Sequence, residues 1–168
     1  PVGQKLPGRS YPKLKRTDKG FDYRRGEQVF KANCAVCHGK DGQGHKDLNG
    51  RQVFPPLWGP SSYNWGAGMH RVPTAAEFIR ANMPLGKRNY LSKQEAWDVA
   101  AYINSFPRPP DPRQVEENLS VAEAKDAYHK DKKGYYGQTV RGKKLGESFD
   151  QAEWERFRQK HLPTWTSD

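Results

Sequence analysis

The chain carries two cysteines, and both lie in Cys34-Ala35-Val36-Cys37-His38. Two thiols two residues apart, followed at once by a histidine, are what covalent attachment of a c-type haem requires. The thiols add across the two vinyl groups and the imidazole reaches the iron. A chain tethered in this way folds around its cofactor, with one helical turn presenting both sulfurs, so the motif constrains the fold more than any compositional feature. Cys34, Cys37 and His38 are assigned to cofactor binding, His38 as an axial iron ligand, and one covalent haem c is expected.

The same cysteine spacing occurs in thiol–disulfide exchange sites and in zinc sites. Zinc would need a second ligand pair, whereas His45, His70, His129 and His161 are scattered. An exchange site would sit in a βαβ context, whereas a helical pattern precedes this motif and the glycine-rich Gly39-Lys40-Asp41-Gly42-Gln43-Gly44 follows it. Haem attachment alone accounts for the appended histidine.

Two methionines are present to serve the other face of the iron. Met83 precedes Pro84 at the end of a helical segment, and Met69 lies in Gly66-Ala67-Gly68-Met69, read as a flexible loop. The placement of Met83 after the haem motif resembles that of class I cytochromes c, as does Pro55-Pro56-Leu57-Trp58-Gly59 with its Pro-x-Leu-x-Gly pattern. The resemblance implies Met83 as sixth ligand, with Met69 as alternate. It also implies the Pro55 carbonyl as acceptor for the second imidazole N–H, which fixes the ring's tautomer, and Leu57 as a haem contact. A His/Met pair raises the reduction potential and closes the coordination sphere, which suits electron transfer.

At 168 residues and 34% apolar content the chain has room for one domain with extensions, its core concentrated in part of its length. Helical patterns cluster between Tyr23 and Phe106. The first runs from Gly26 through Phe30 into the haem motif. A second is expected to open on a capping box at Thr74-Ala75-Ala76-Glu77, and a third on Ser92-Lys93-Gln94-Glu95, stopping at Phe106-Pro107. Gly26 and Phe30 are expected to cross against Tyr102. The expected fold is all-α, a class I cytochrome c haem domain over 23–107, with a basic N-terminal arm over 1–22 and an extended C-terminal arm over 108–168. Pro107-Arg108-Pro109-Pro110-Asp111-Pro112 opens that second arm. Short helices are expected there from Ser120 and from Asp150, the latter with a Phe149–Trp154 staple. The aromatic content of the arm argues for an ordered wrap anchored by Trp154 and Phe157.

The formal charge is +10, and residues 1–25 hold eight basic against two acidic side chains. That arm suits an acidic protein or an anionic membrane surface. Lys87 and Arg88 are expected to border the exposed haem edge, predicting an acidic redox partner or catalytic subunit. Nucleic acid is not an expected partner. No apolar run is long enough to span a membrane. The chain begins at Pro1, read as a form trimmed of an export signal, and haem c maturation places it in the periplasm.

Segments Pro56-Leu57-Trp58-Gly59-Pro60, Gly66-Ala67-Gly68-Met69, Phe78-Ile79-Arg80-Ala81-Asn82-Met83-Pro84-Leu85-Gly86 and Gln94-Glu95-Ala96-Trp97-Asp98-Val99-Ala100-Ala101-Tyr102 resemble the carboxy-terminal haem domain of the thiosulfate dehydrogenase family. Members of that family carry two haems, the catalytic one with a distal cysteine ligand, whereas this chain holds one haem motif and no third cysteine. The resemblance therefore implies the electron-relay half: a monohaem cytochrome moving single electrons between periplasmic partners, with sulfur-compound oxidation as its setting. The alternative is a haem oxidoreductase that acts on a small sulfur anion such as thiosulfate through a labile distal ligand, in a basic pocket lined by His70, Arg71 or Arg51.

Overall fold

The computed structural model describes residues 11–131, 133–140 and 142–145, with Ala152, Trp154, Arg156 and Gln159 beyond them. Its architecture is mainly helical: α1 (Tyr23–Asn33), α2 (Ala35–His38), α3 (Val72–Asn82), α4 (Lys93–Ile103), α5 (Pro112–Glu116) and α6 (Val121–Tyr128). Two small antiparallel hairpins are added, β1 (His45–Lys46) with β2 (Gln52–Phe54), and β3 (Gln138–Val140) with β4 (Lys143–Leu145).

The α1–α4 crossing organises the core. Asp22 caps α1, its carboxylate accepting from Arg24 N at 2.8 Å. The buried Asp98 of α4 reaches the same end of α1, accepting from Asp22 N at 2.7 Å and from Arg25 Nε and Nη2 at 2.7 and 2.9 Å. A forked guanidinium–carboxylate pair of this kind fixes orientation as well as distance. Between them Gly26 lets the two backbones touch: a Cβ there would lie 2.0 Å from the Asp98 carbonyl oxygen and 2.7 Å from Tyr102 Cβ. One turn on, Phe30 packs on Tyr102 with ring centroids 5.5 Å apart. The expected crossing is thus present, and Ala96, Ala100 and Ala101 keep α4 slim enough to be buried on most of its circumference.

Helix α4 opens on the expected capping box, Ser92 Oγ accepting from Glu95 N at 3.2 Å and Glu95 Oε2 accepting from Ser92 N at 2.8 Å. Helix α3 does not open on the Thr74 box. It starts at Val72, with Pro73 in the first turn, where a fixed φ and missing N–H are no loss. The Val72 N–H is satisfied by Lys133 O at 3.0 Å. Thr74 is already inside the helix, so its hydroxyl cannot cap it, and Glu77 turns away to accept from Lys13 Nζ at 3.1 Å and Leu14 N at 3.4 Å.

Both arms pack on this core. Residues 11–22 lie against α3 and α4, Lys15 O accepting from Trp97 Nε1 at 3.2 Å. Two of the arm's cations are committed internally, Lys13 to Glu77 and Arg16 over the Phe21 ring at 4.5 Å, as is Arg25 of α1 to Asp98. The C-terminal arm is anchored by Tyr135, Tyr136 and Leu145, all buried. Helix α6 carries its Ser120–Glu123 box as expected, whereas α5 and the β3–β4 hairpin had no periodic signal. Trp154 is half-buried, while Phe149, Asp150 and Phe157 lie outside the described residues.

Where the arm meets the core, His129 is buried, its ring tilted against Tyr136 with centroids 4.4 Å apart and its Nε2 3.3 Å from Asp111 Oδ2. Burial holds the His129 imidazole below its ordinary range, outweighing the opposing pull of Asp111. The unfolded chain therefore binds a proton that the folded one resists, and stability falls as pH drops below about 6.5. Melting followed by circular dichroism between pH 7.5 and 5 should show this loss, reduced in His129→Gln. Gly26→Ala, which forces α1 off α4, should cost about 2–3 kcal/mol in denaturant unfolding at pH 7.

Candidate haem site

Helix α1 delivers the cysteine motif to a cavity. Its C-cap is Cys34, whose N–H bonds Phe30 O at 2.9 Å, and the chain turns directly into α2, closed by His38 N to Cys34 O at 2.9 Å. Gly39, at φ +77°, ends that turn. Cys34, Cys37 and His38 all line a cavity of about 320 Å³, within the range of cofactor sites. Leu57, Phe54, Phe78, Ile79, Val99 and Ile103 make its apolar walls, and Met83 and Met69 both border it.

The imidazole of His38 is held by its inner nitrogen, Nδ1 lying 2.9 Å from Pro55 O. A carbonyl only accepts, so Nδ1 carries the proton and Nε2 keeps its lone pair free for a metal. Pro55 also lines the cavity, as does Leu57, whose N–H is anchored on Gly42 O at 2.8 Å. The Cys34 thiol is pushed up to about 11, first by burial and then by Cys37. Exchange-active cysteines need the opposite shift, so Cys34 is not set up for thiol redox chemistry.

Met83 is the C-cap of α3, its N–H bonded to Ile79 O at 2.8 Å. Met69 is not in a loose loop: it sits in a single 3₁₀ turn over Gly68–His70, and its carbonyl accepts from Asn104 Nδ2 at 3.1 Å. The buried Asn104 also accepts from the Tyr63 hydroxyl at 2.9 Å, and Tyr63 lines the cavity. Neither Tyr63 nor Asn104 carries a sequence signal, because their role arises only where the 59–67 loop meets the end of α4. On the other side the β1–β2 hairpin bulges, pairing His45 with Phe54 and Lys46 with Gln52 and leaving Val53 over. The bulge breaks strict alternation, so the consecutive Val53 and Phe54 both face the cavity.

The basic pocket expected of His70, Arg71 and Arg51 is not formed. His70 is buried against the C-terminal arm, where a Cβ on Gly134 would lie 2.3 Å from its ring, and burial lowers its pKa to about 4. Arg71 pairs with Asp131 at 3.0 Å, and Arg51 closes the hairpin turn onto Asp47 at 3.2 Å. Among the described residues no lysine or arginine lines the cavity.

A model of the family described as cytochrome c matches residues 23–107, the stretch that supplies every cavity wall named above. The chain is a member of the cytochrome c family. It is 54% identical over 148 residues to a thiosulfate dehydrogenase of Stutzerimonas stutzeri, a match that covers 88% of this chain and 47% of that protein. To a thiosulfate dehydrogenase of Thiomonas intermedia it is 48% identical over 147 residues, covering 88% and 46%. Among solved structures, the as-isolated thiosulfate dehydrogenase TsdBA of Marichromatium purpuratum superposes with a TM-score of 0.73 at 51% identity, over 84% of this chain and 30% of that one. The chain spans about half the length of these curated relatives. Membership implies covalently bound haem c, and the residues fit it: paired thiols, a histidine with Nε2 free and an apolar cavity. If the cysteines are consumed in thioether bonds, the chromophore stays with the polypeptide through acid–acetone extraction, and Cys34→Ala with Cys37→Ala releases it.

Proposed function

We propose that this chain is a monohaem, electron-relay cytochrome of the periplasm, passing single electrons between a sulfur-oxidising centre and an acidic redox partner or catalytic subunit. The observation that carries this reading is the pairing of His38, with its Nδ1 on Pro55 O, and Met83 on the walls of one apolar cavity. When bound, the haem supplies a one-electron ferric–ferrous couple. The protein holds the histidine in one tautomer, would offer the Met83 thioether to the iron and surrounds the site with apolar walls. No cation lines the cavity among the described residues to hold a sulfur anion, which favours relay over thiosulfate turnover at this iron.

Domain limits of 23–107 for the haem unit, with arms over 1–22 and 108–168, go with this reading. At the cavity mouth Val53 and Leu85 are largely exposed, and Lys87 and Arg88 follow Leu85 on the same exposed segment. An apolar rim beside positive charge suits a partner with an acidic patch, with association that weakens as salt rises. Contact of the basic N-terminal residues with an anionic membrane is a lesser element, since Lys13, Arg16 and Arg25 have internal partners.

The test is substitution of each methionine in the haem-loaded protein, whose iron content should be one per chain. Met83→Ala should lower the midpoint potential and strengthen cyanide binding to ferric iron at least about tenfold. Met69→Ala should leave both close to wild type. The reverse pattern would make Met69 the ligand, and cyanide binding equally tight in the native protein would defeat the relay reading.

A further inference from the structure

Met69 and Met83 both border the cavity, and an iron already held by His38 has room for one of them. A methionine side chain is unbranched and flexible, so reach alone does not choose between the two sulfurs. Their backbones differ. Met83 is extended at the C-cap of α3, with φ −119° and ψ 147°, and leads into residues 85–90, all exposed. Met69 is enclosed instead. Its 3₁₀ turn is closed by His70 N on Ala67 O at 3.1 Å and by Arg71 N on Gly68 O at 3.2 Å, and its own carbonyl accepts from Asn104 Nδ2 at 3.1 Å.

Asn104 is the C-cap of α4 and is fully buried. Its whole amide is in use: Nδ2 donates to Met69 O and to Ala100 O at 3.0 Å, and Oδ1 accepts from the Tyr63 hydroxyl at 2.9 Å. One nitrogen with two N–H donors meets two carbonyls, and the amide oxygen meets a hydroxyl, a match that a carboxylate or an aliphatic side chain does not offer. Tyr63 and Met69 are both cavity walls, so Asn104 ties two wall residues to the end of α4 from behind. Losing the amide would leave the buried Met69 carbonyl without this donor and free its turn to shift.

We propose that Asn104 is the positioning residue that selects the iron's thioether: by anchoring the Met69 carbonyl it keeps that sulfur in the wall and leaves the sixth site to Met83. This rests on the reading of Met83 as ligand given above. Asn104 acts through the Met69 backbone and touches no reacting atom. The benefit to a relay is a single ligand state, because an iron divided between two sulfurs in different surroundings would have two reduction potentials.

The test is the absorption spectrum and cyanide titration of the ferric, haem-loaded chain, in variants that lack Met83. Met83→Ala keeps Asn104, and the weak long-wavelength band of a thioether on ferric haem should be absent. Met83→Ala with Asn104→Leu should bring the band back and weaken cyanide binding at least about fivefold relative to Met83→Ala. Adding Met69→Leu should abolish both effects. Tyr63→Phe leaves both Asn104 donors in place and should not restore the band in Met83→Ala. Asn104→Ala adds no bulk and decides alone where the leucine variant takes up no haem. A role confined to folding would loosen the chain without returning a band that depends on Met69. Absence of the band from the Asn104 variants in the Met83→Ala background overturns the proposal, as does loss of haem uptake in both, which would make Asn104 a folding residue. A band that survives in Met83→Ala itself would instead defeat the reading of Met83 as ligand.

Discussion

Contact between α1 and α4 at Gly26 is the constraint from which the site follows. The Asp98 carboxylate clamps the start of α1 through Arg25 and the Asp22 N–H, and the missing Cβ of Gly26 lets the two backbones meet. With α1 fixed, its C-cap Cys34 and the turn to His38 can occupy one position only, at the edge of a cavity whose far wall is Val99 and Ile103 of α4 itself. Helix α3, packed on the other flank of α4, then ends with Met83 on the same cavity. His38 and Met83, 45 positions apart in sequence, are brought to one cavity by α4, which packs against both α1 and α3.

Much of this was readable from the chain because it depends on local chemistry. A cysteine pair with its histidine names a cofactor, serine with glutamate three residues later names the start of α4, and the Pro-x-Leu-x-Gly run, through its resemblance to class I cytochromes c, pointed to the Pro55 carbonyl as the imidazole's acceptor. What escaped was whatever the tertiary environment decides. Thr74 and Glu77 have the residues of a capping box, but Pro73 and the Lys133 carbonyl start the helix earlier and release Glu77 to bind the N-terminal arm. Met69 reads as loop from its glycines, yet a hydrogen bond from Asn104, 35 residues away, fixes its backbone. His70, Arg71 and Arg51 look like a basic pocket when written side by side, and each is spent elsewhere.

Polarity is distributed in a way that suits a carrier. The cavity walls are apolar, which would screen a bound haem from water. Lys87 and Arg88 stand outside it, on the exposed segment that follows Leu85. The arms add stability rather than chemistry, the C-terminal one satisfying the first N–H of α3 and packing its tyrosines beside the buried histidine pair.

The central claim is that sulfur from Met83 closes the iron opposite His38. The most direct measurement is the absorption spectrum of the ferric haem-loaded protein, read for the weak long-wavelength band that arises when a thioether binds ferric haem. The account predicts that this band is present in the native protein and lost in Met83→Ala. Its absence from the native protein, or its survival in that variant, would contradict the ligand set on which the relay reading stands.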